Sequence, residues 1–139
     1  MSQREFHEQC GFYNWCIVHM DCDVFPGLRT IYAIPNGAHL AKGQGGKLDK
    51  EGRRKGIPDM HLPVARLGFN SLYIEMKAPE IRDHLTNKVV SRKGTLSKDQ
   101  KKMIPLLEAQ GNCVAICYGK QEAIRVIEWY YGVEHETTH

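Results

Sequence analysis

A chain of 139 residues, 42% hydrophobic and 25% charged, is long enough for one domain with a sizeable core and too apolar to be a disordered segment. Its net charge of +3 permits a nucleic-acid partner without requiring one, and no apolar run approaches the length of a membrane span. The opening "MSQREFHEQC" is polar and acid-bearing, with no signal-peptide pattern, so a cytoplasmic protein is expected.

Residues 4–20, "REFHEQCGFYNWCIVHM", read as a helix, with Phe6, Cys10, Tyr13 and Ile17 at spacings of four, three and four and Ser2 as a candidate cap. "VFPG" breaks the chain, and "LRTIYAI" reads as a short strand ending at Pro35. "PNGAHL" is a turn centred on Asn-Gly. From Leu40 to Gly56 the composition shifts to glycine and charge, which predicts a loop holding at most a short helix, poorly ordered near "GQGG". "DMHLPV" and "SLYIEMK" read as a hairpin of two strands turning around "RLGFN". "APEIRDHLTNKVVSRKGT" has no sustained period and predicts a long basic loop. "SKDQKKMIPLLEAQG" is a helix capped by Ser97 and ended by Gly111, with Pro105 inside it. "NCVAICY" is a third core strand and "KQEAIRVIEWYYG" a last helix ended by Gly132. This order predicts a single α/β domain with a small mixed sheet flanked by helices, its core at about 4–132, a flexible basic insertion at about 80–96 and a frayed tail at 133–139.

The five cysteines (Cys10, Cys16, Cys22, Cys113 and Cys117) form no CxxC pair and leave an odd count, which argues against a disulfide framework and against structural zinc. His39, His61 and His84 lack metal-ligand spacing, and His135 and His139 fall in the tail.

The chemistry concentrates in "LYIEMK". Alternation along a strand puts Leu72, Ile74 and Met76 on one face and Tyr73, Glu75 and Lys77 on the other. Antiparallel partners bring the start of one hairpin strand beside the end of the next, so Asp59 can converge on Glu75 despite sixteen intervening steps of chain. Two carboxylates and a backbone carbonyl suit a hard divalent ion such as Mg²⁺, which would activate a water and neutralise phosphate charge, with Lys77 placed to orient or deprotonate that water. The competing account is an exposed ion pair between Glu75 and Lys77 on an edge strand. Gln100 is likewise open to two accounts, since Ser97-x-x-Gln100 is a capping box.

The pattern "GIPDMHL…LYIEMK…LSKDQ…LLEAQGNCVAICYG…EAIRVIEWY", with "IYAIPNG" before it, resembles the virus-type replication-repair nuclease (VRR-NUC) domain of the PD-(D/E)XK nuclease superfamily, in its stand-alone phage and bacterial form. The likeness runs from about Glu5 to Tyr131. It implies a restriction-endonuclease-like core and Asp59, Glu75 and the Met76 carbonyl as ligands of Mg²⁺ or Mn²⁺. It also implies catalytic roles for Lys77 and Gln100 and for a glutamate of the first helix, Glu5, with Glu8 as the alternative. One departure stands out. Lys77 and Gln100 lie 23 residues apart where the family makes a short connection, and the extra segment carries Arg82, Lys88, Arg92 and Lys93.

The basic residues Lys42, Lys47, Lys50, Arg53, Arg54 and Lys55 run up to Asp59 and are candidate phosphate contacts, as are Asn36 and His39 at the turn; a solubilising face interspersed with Asp49 and Glu51 is the alternative. The resemblance implies a metal-dependent DNA endonuclease in the cytoplasm of a bacterium or a phage-infected host, acting on branched DNA as a homodimer in the manner of Holliday-junction resolvases. A flap or nicking nuclease and a catalytically silent DNA-binding module are the other readings.

Overall fold

A computed structural model describes residues 1–35 and 43–134. Ser2 caps helix α1 (Gln3–His19) through a reciprocal box with Glu5, each side chain bonding the other's main-chain N–H. The apolar series Phe6, Tyr13 and Ile17 is exposed, however, and the buried residues of α1 are Phe12 and Cys16. Trp15 stacks on His19 at 4.2 Å between ring centroids and meets the edge of Phe25. The helix thus carries two apolar stripes, and spacing alone does not tell which one the core takes.

The stretch expected to be a strand at "LRTIYAI" is instead a 3-10 turn (Leu28–Thr30) followed by a short strand β1 (Tyr32–Ala33). Leu28 enters the core while Thr30 bonds back to Gly27, which ties the first half of the segment into a turn before it can pair. The glycine-rich segment expected to be a loop with at most a short helix contains helix α2 (Gln44–Glu51), which takes in Gln44, Gly45 and Gly46 and is closed by Gly52 at φ 112°. An i,i+4 pair of Asp49 with Arg53 at 2.8 Å supports its end.

Strands β2 (Met60–Leu62) and β3 (Leu72–Lys77) form the expected antiparallel hairpin. Its connection tightens at Arg66↔Phe69, where Leu67 and Gly68 both adopt positive φ. The segment expected to be a long loop pairs with itself as β4 (Ile81–Arg82) and β5 (Val89–Ser91). Helix α3 (Lys98–Ala109) keeps Pro105 within it, β6 (Cys113–Tyr118) runs parallel to β3, and α4 (Lys120–Tyr131) ends at Gly132 in the left-handed conformation.

The main sheet has the order β1-β2-β3-β6, so β3 is internal. On one face Met60, Leu62, Leu72, Ile74, Met76 and Cys117 bury themselves against Phe12 and Cys16 of α1 and Ala123, Ile127 and Tyr130 of α4. Parity puts Asp59, His61, Tyr73, Glu75 and Lys77 on the opposite face, the side toward which α3 sends Gln100. Among the described residues no helix is long and apolar enough to cross a membrane.

Candidate functional site

Met60 pairs with Ile74, so one step further along the same register Asp59 stands opposite Glu75. Asp59 is held twice: the Ile34 N–H donates to its main-chain carbonyl at 2.7 Å, and the Met76 N–H donates to its Oδ2 at 2.8 Å. The carboxylate therefore takes the place of the main-chain acceptor that a longer β2 would supply. Ser71 and Lys77 accept from Cys113 and Gly119 on the β6 side. Met76, out of phase with them, donates its N–H to Asp59, and strand alternation puts its carbonyl on that same β2 side.

Glu75 and Lys77 do not form an exposed edge pair, because the strand that carries them is central and both are buried. Lys77 Nζ lies 3.8 Å from Glu75 Oε1, and Gln100 Nε2 donates to that same oxygen at 2.8 Å. The other oxygen, Glu75 Oε2, is buried without a hydrogen-bond partner. Gln100 also fills the capping box, with its Oε1 accepting from the Ser97 N–H at 2.8 Å and its N–H donating to Ser97 Oγ at 3.2 Å. Both accounts of Gln100 describe one conformation.

The two candidate glutamates of α1 have different partners. Glu8 Oε2 accepts the Lys120 N–H at 2.7 Å, which caps the start of α4. After burial as the main cause, the charge of Glu5 adds to the raised pKa of both Asp59 and Glu75. Two glycines frame the site. A Cβ on Gly94 would stand 3.0 Å from Glu5 Oε1 and 3.3 Å from Lys77 Cδ. Gly56, at φ +84°, approaches the first turn of α3 so closely that a Cβ there would lie 2.3 Å from the Asp99 carbonyl oxygen.

Burial chiefly, and then the charge of Asp59 beside it, push the Glu75 carboxyl up to about 9. Burial likewise raises Asp59, against the opposing pull of the Met76 N–H. Two facing acids, 3% and 2% exposed, with a bare oxygen between their partners, hold their charge poorly on their own. That donor set fits a hard cation. Mg²⁺ or Mn²⁺ takes one or two carboxylates and a carbonyl and keeps waters for the remainder. Among the described residues no three His, Cys, Asp or Glu side chains gather as a metal cluster.

Lys47 and Lys50 are exposed on α2, and Arg54 and Lys55 are exposed on the strand of chain leading to Gly56. Arg53 pairs with Asp49 and, with Arg54, Leu48, Ile34 and Ile57, lines a cavity of about 400 Å³. Asn36, His39 and Lys42 lie outside the described residues. Sequence reasoning passed over Arg4, whose guanidinium bonds Ser91 Oγ and the Pro79 carbonyl at the root of the β4–β5 hairpin. It also passed over both framing glycines. "GIPD" gave a signal for Gly56, since a glycine just before a buried Pro-Asp marks close backbone approach.

No curated protein matches this chain. A solved structure described as a VRR_NUC domain protein superposes with a TM-score of 0.68 at 21% identity, covering 96% of this chain and 92% of its own. At that identity the likeness speaks for the fold. The family model described as the VRR-NUC domain matches residues 3–121, which takes in Glu5, Asp59, Glu75, Lys77 and Gln100 alike. With most of its length under that model and its fold shared with a member, the chain belongs to the VRR-NUC domain family, a membership that implies nuclease activity and a DNA substrate.

Proposed function

We propose that the protein is a divalent-metal-dependent DNA endonuclease whose centre is the pair Asp59 and Glu75. The observation that carries this is the buried pair of facing carboxylates, Asp59 opposite Glu75 across the β2–β3 register, with Gln100 and Lys77 both turned to one Glu75 oxygen. Asp59, Glu75 and the Met76 carbonyl would hold Mg²⁺ or Mn²⁺. When bound, the ion lowers the pKa of the attacking water and offsets charge on the phosphate. Lys77 positions that water and accompanies the negative charge as its oxygen bonds to phosphorus and the bond to the leaving sugar oxygen breaks. Gln100 fixes the rotamer of Glu75, and Glu5 closes the site from the side of α1. Lys47, Lys50, Arg53, Arg54 and Lys55 supply phosphate contacts on approach, with Asn36 and His39 as further candidate contacts. A silent binding module is disfavoured, because binding alone gives no reason to bury two facing acids.

The finer reading is a homodimer selective for branched DNA, acting in the cytoplasm. Five free cysteines agree with a reducing compartment. A dimer is supported by the exposed stripe Phe6, Tyr13 and Ile17 beside an apolar groove of about 400 Å³ that reaches Tyr32 and Ala33 of the edge strand. Labelled duplex, flap and four-way junction DNA, offered with and without Mg²⁺ alongside sedimentation of the free protein, tests both levels. A dimer that makes paired cuts in junctions is expected. A monomer that cuts flaps and ignores junctions retains the nuclease and removes the resolvase reading.

A further inference from the structure

The β4–β5 hairpin is the part of the chain that the proposed chemistry leaves unused, and it is built rather than slack. Asp83 Oδ1 accepts the Leu85 and Thr86 N–H groups at 2.8 and 2.9 Å. The Asn87 N–H donates to the Asp83 carbonyl and the Asp83 N–H to the Lys88 carbonyl, at 2.8 Å each, and Arg82 donates to the Asn87 carbonyl at 2.9 Å. This network presents Leu85 at the tip, 84% exposed, with Val90 and Val89 exposed behind it. The root is fixed to the site. Arg4 clamps Pro79 and Ser91, the Gly94 N–H donates to the Ala78 carbonyl at 2.9 Å, and Gly94 packs against Glu5 and Lys77.

The charges along the hairpin are unequal. Its acids are engaged within the segment, Asp83 by its own turn and Glu80 by Arg82 at 2.5 Å. Lys88 and Arg92 remain exposed, and Lys93 lies 4.7 Å above the Tyr118 ring at the base. An apolar tip over a cationic stem, rooted beside two carboxylates, matches a polyanion with an apolar stacked interior. Apolar side chains that enter a base step unstack it, and flanking cations hold the phosphates.

We infer that the hairpin is a DNA wedge. Leu85 enters between base pairs next to the phosphodiester presented to the Asp59–Glu75 site, while Lys88 and Arg92 grip the backbone. This deepens the nuclease reading and rests on it. The hairpin would confer preference for DNA that opens easily, since a loosened or branched step costs less to unstack.

The test uses forked DNA with 2-aminopurine scanned through the base pairs at the fork, in EDTA, with wild type, Leu85→Ala, Leu85→Met and Lys88→Ala/Arg92→Ala. Wild type and Leu85→Met should raise the fluorescence at one or two positions, and Leu85→Ala should lose that rise while still binding. The double variant should lower the log–log salt slope of binding by about 0.9 for each contact removed. Three results would each overturn the wedge: no position-specific rise with wild type, an equal rise with Leu85→Ala, or altered self-association of Leu85→Ala with unchanged fluorescence. Cleavage scored separately with Mg²⁺ keeps the readings apart. A protein that cuts without Leu85-dependent unstacking loses only the wedge, and one that unstacks without cutting loses the nuclease.

Discussion

Gln100 and Glu75 are joined by a 2.8 Å hydrogen bond from an amide that simultaneously accepts the Ser97 N–H at 2.8 Å. Helix α3 is thereby locked to β3 through the same side chain that starts it. The two roles separate by mutation. Ser97→Ala should cost about 1 kcal/mol of stability through the lost cap and leave metal-dependent cleavage near wild type. Gln100→Ala should cost a similar amount and also depress cleavage. Thermal melts and cleavage rates of the pair decide it, and equal cleavage in both variants would reduce Gln100 to a helix cap.

Gly56 sets how closely the Pro-Asp turn approaches α3. A methyl at φ +84°, 2.3 Å from the Asp99 carbonyl oxygen, forces the backbone apart. Gly56→Ala should destabilise by about 1–3 kcal/mol, typical of a strained backbone position, and lower cleavage by shifting Gln100. A variant with wild-type melting and cleavage would show that the turn is slack.

Glu5 and Glu8 lie on one helix and should behave in opposite ways. Glu8→Ala removes the acceptor for the Lys120 N–H and should cost about 1 kcal/mol, as other N-terminal caps do, with cleavage retained. Glu5→Gln should melt near wild type and cleave more slowly. The reverse pattern would exchange their roles.

The raised pKa of Glu75 fixes the sign of a pH effect. With its folded value near 9 against an ordinary 4.5, the neutral acid is the form that folding favours. Glu75's contribution to metal-free stability is therefore full below about 4.5 and is lost as pH rises through about 9. Glu75→Gln should flatten that decline. Since a cation must displace the proton, Mn²⁺ affinity should strengthen with pH across the same window. Melts from pH 5 to 9, with and without Mn²⁺, follow both trends, and wild-type stability that rises with pH in the absence of metal would contradict them.

Much of this was legible in the chain, for local reasons. Period two in "LYIEMK" separates Ile74 and Met76 from Glu75 and Lys77, and Ser97, Gly111 and Gly132 punctuate α3 and α4 where they stand. What the sequence left hidden depends on tertiary contact. Phe6, Tyr13 and Ile17 are as periodic as Phe12 and Cys16, and packing against the sheet and α4 selects the second set. The β4–β5 pairing rests on Asp83 and Asn87 turn bonds and on Arg4, whose partners Pro79 and Ser91 lie far along the chain. Glu5, which also closes the Ser2 capping box, has Gly94 beside it, whereas Glu8 meets Lys120 of α4.

The most direct measurement of the central claim is cleavage of labelled DNA by wild type, Asp59→Asn and Glu75→Gln, each in Mg²⁺ and in EDTA, with DNA binding recorded in parallel. Each substitution removes ligand charge at nearly constant volume. Wild type should cut in Mg²⁺ alone, and both variants should bind DNA, stay folded and fail to cut. Cleavage by either variant at the wild-type rate in Mg²⁺, or wild-type cleavage undiminished in EDTA, would contradict a metal centre at Asp59 and Glu75.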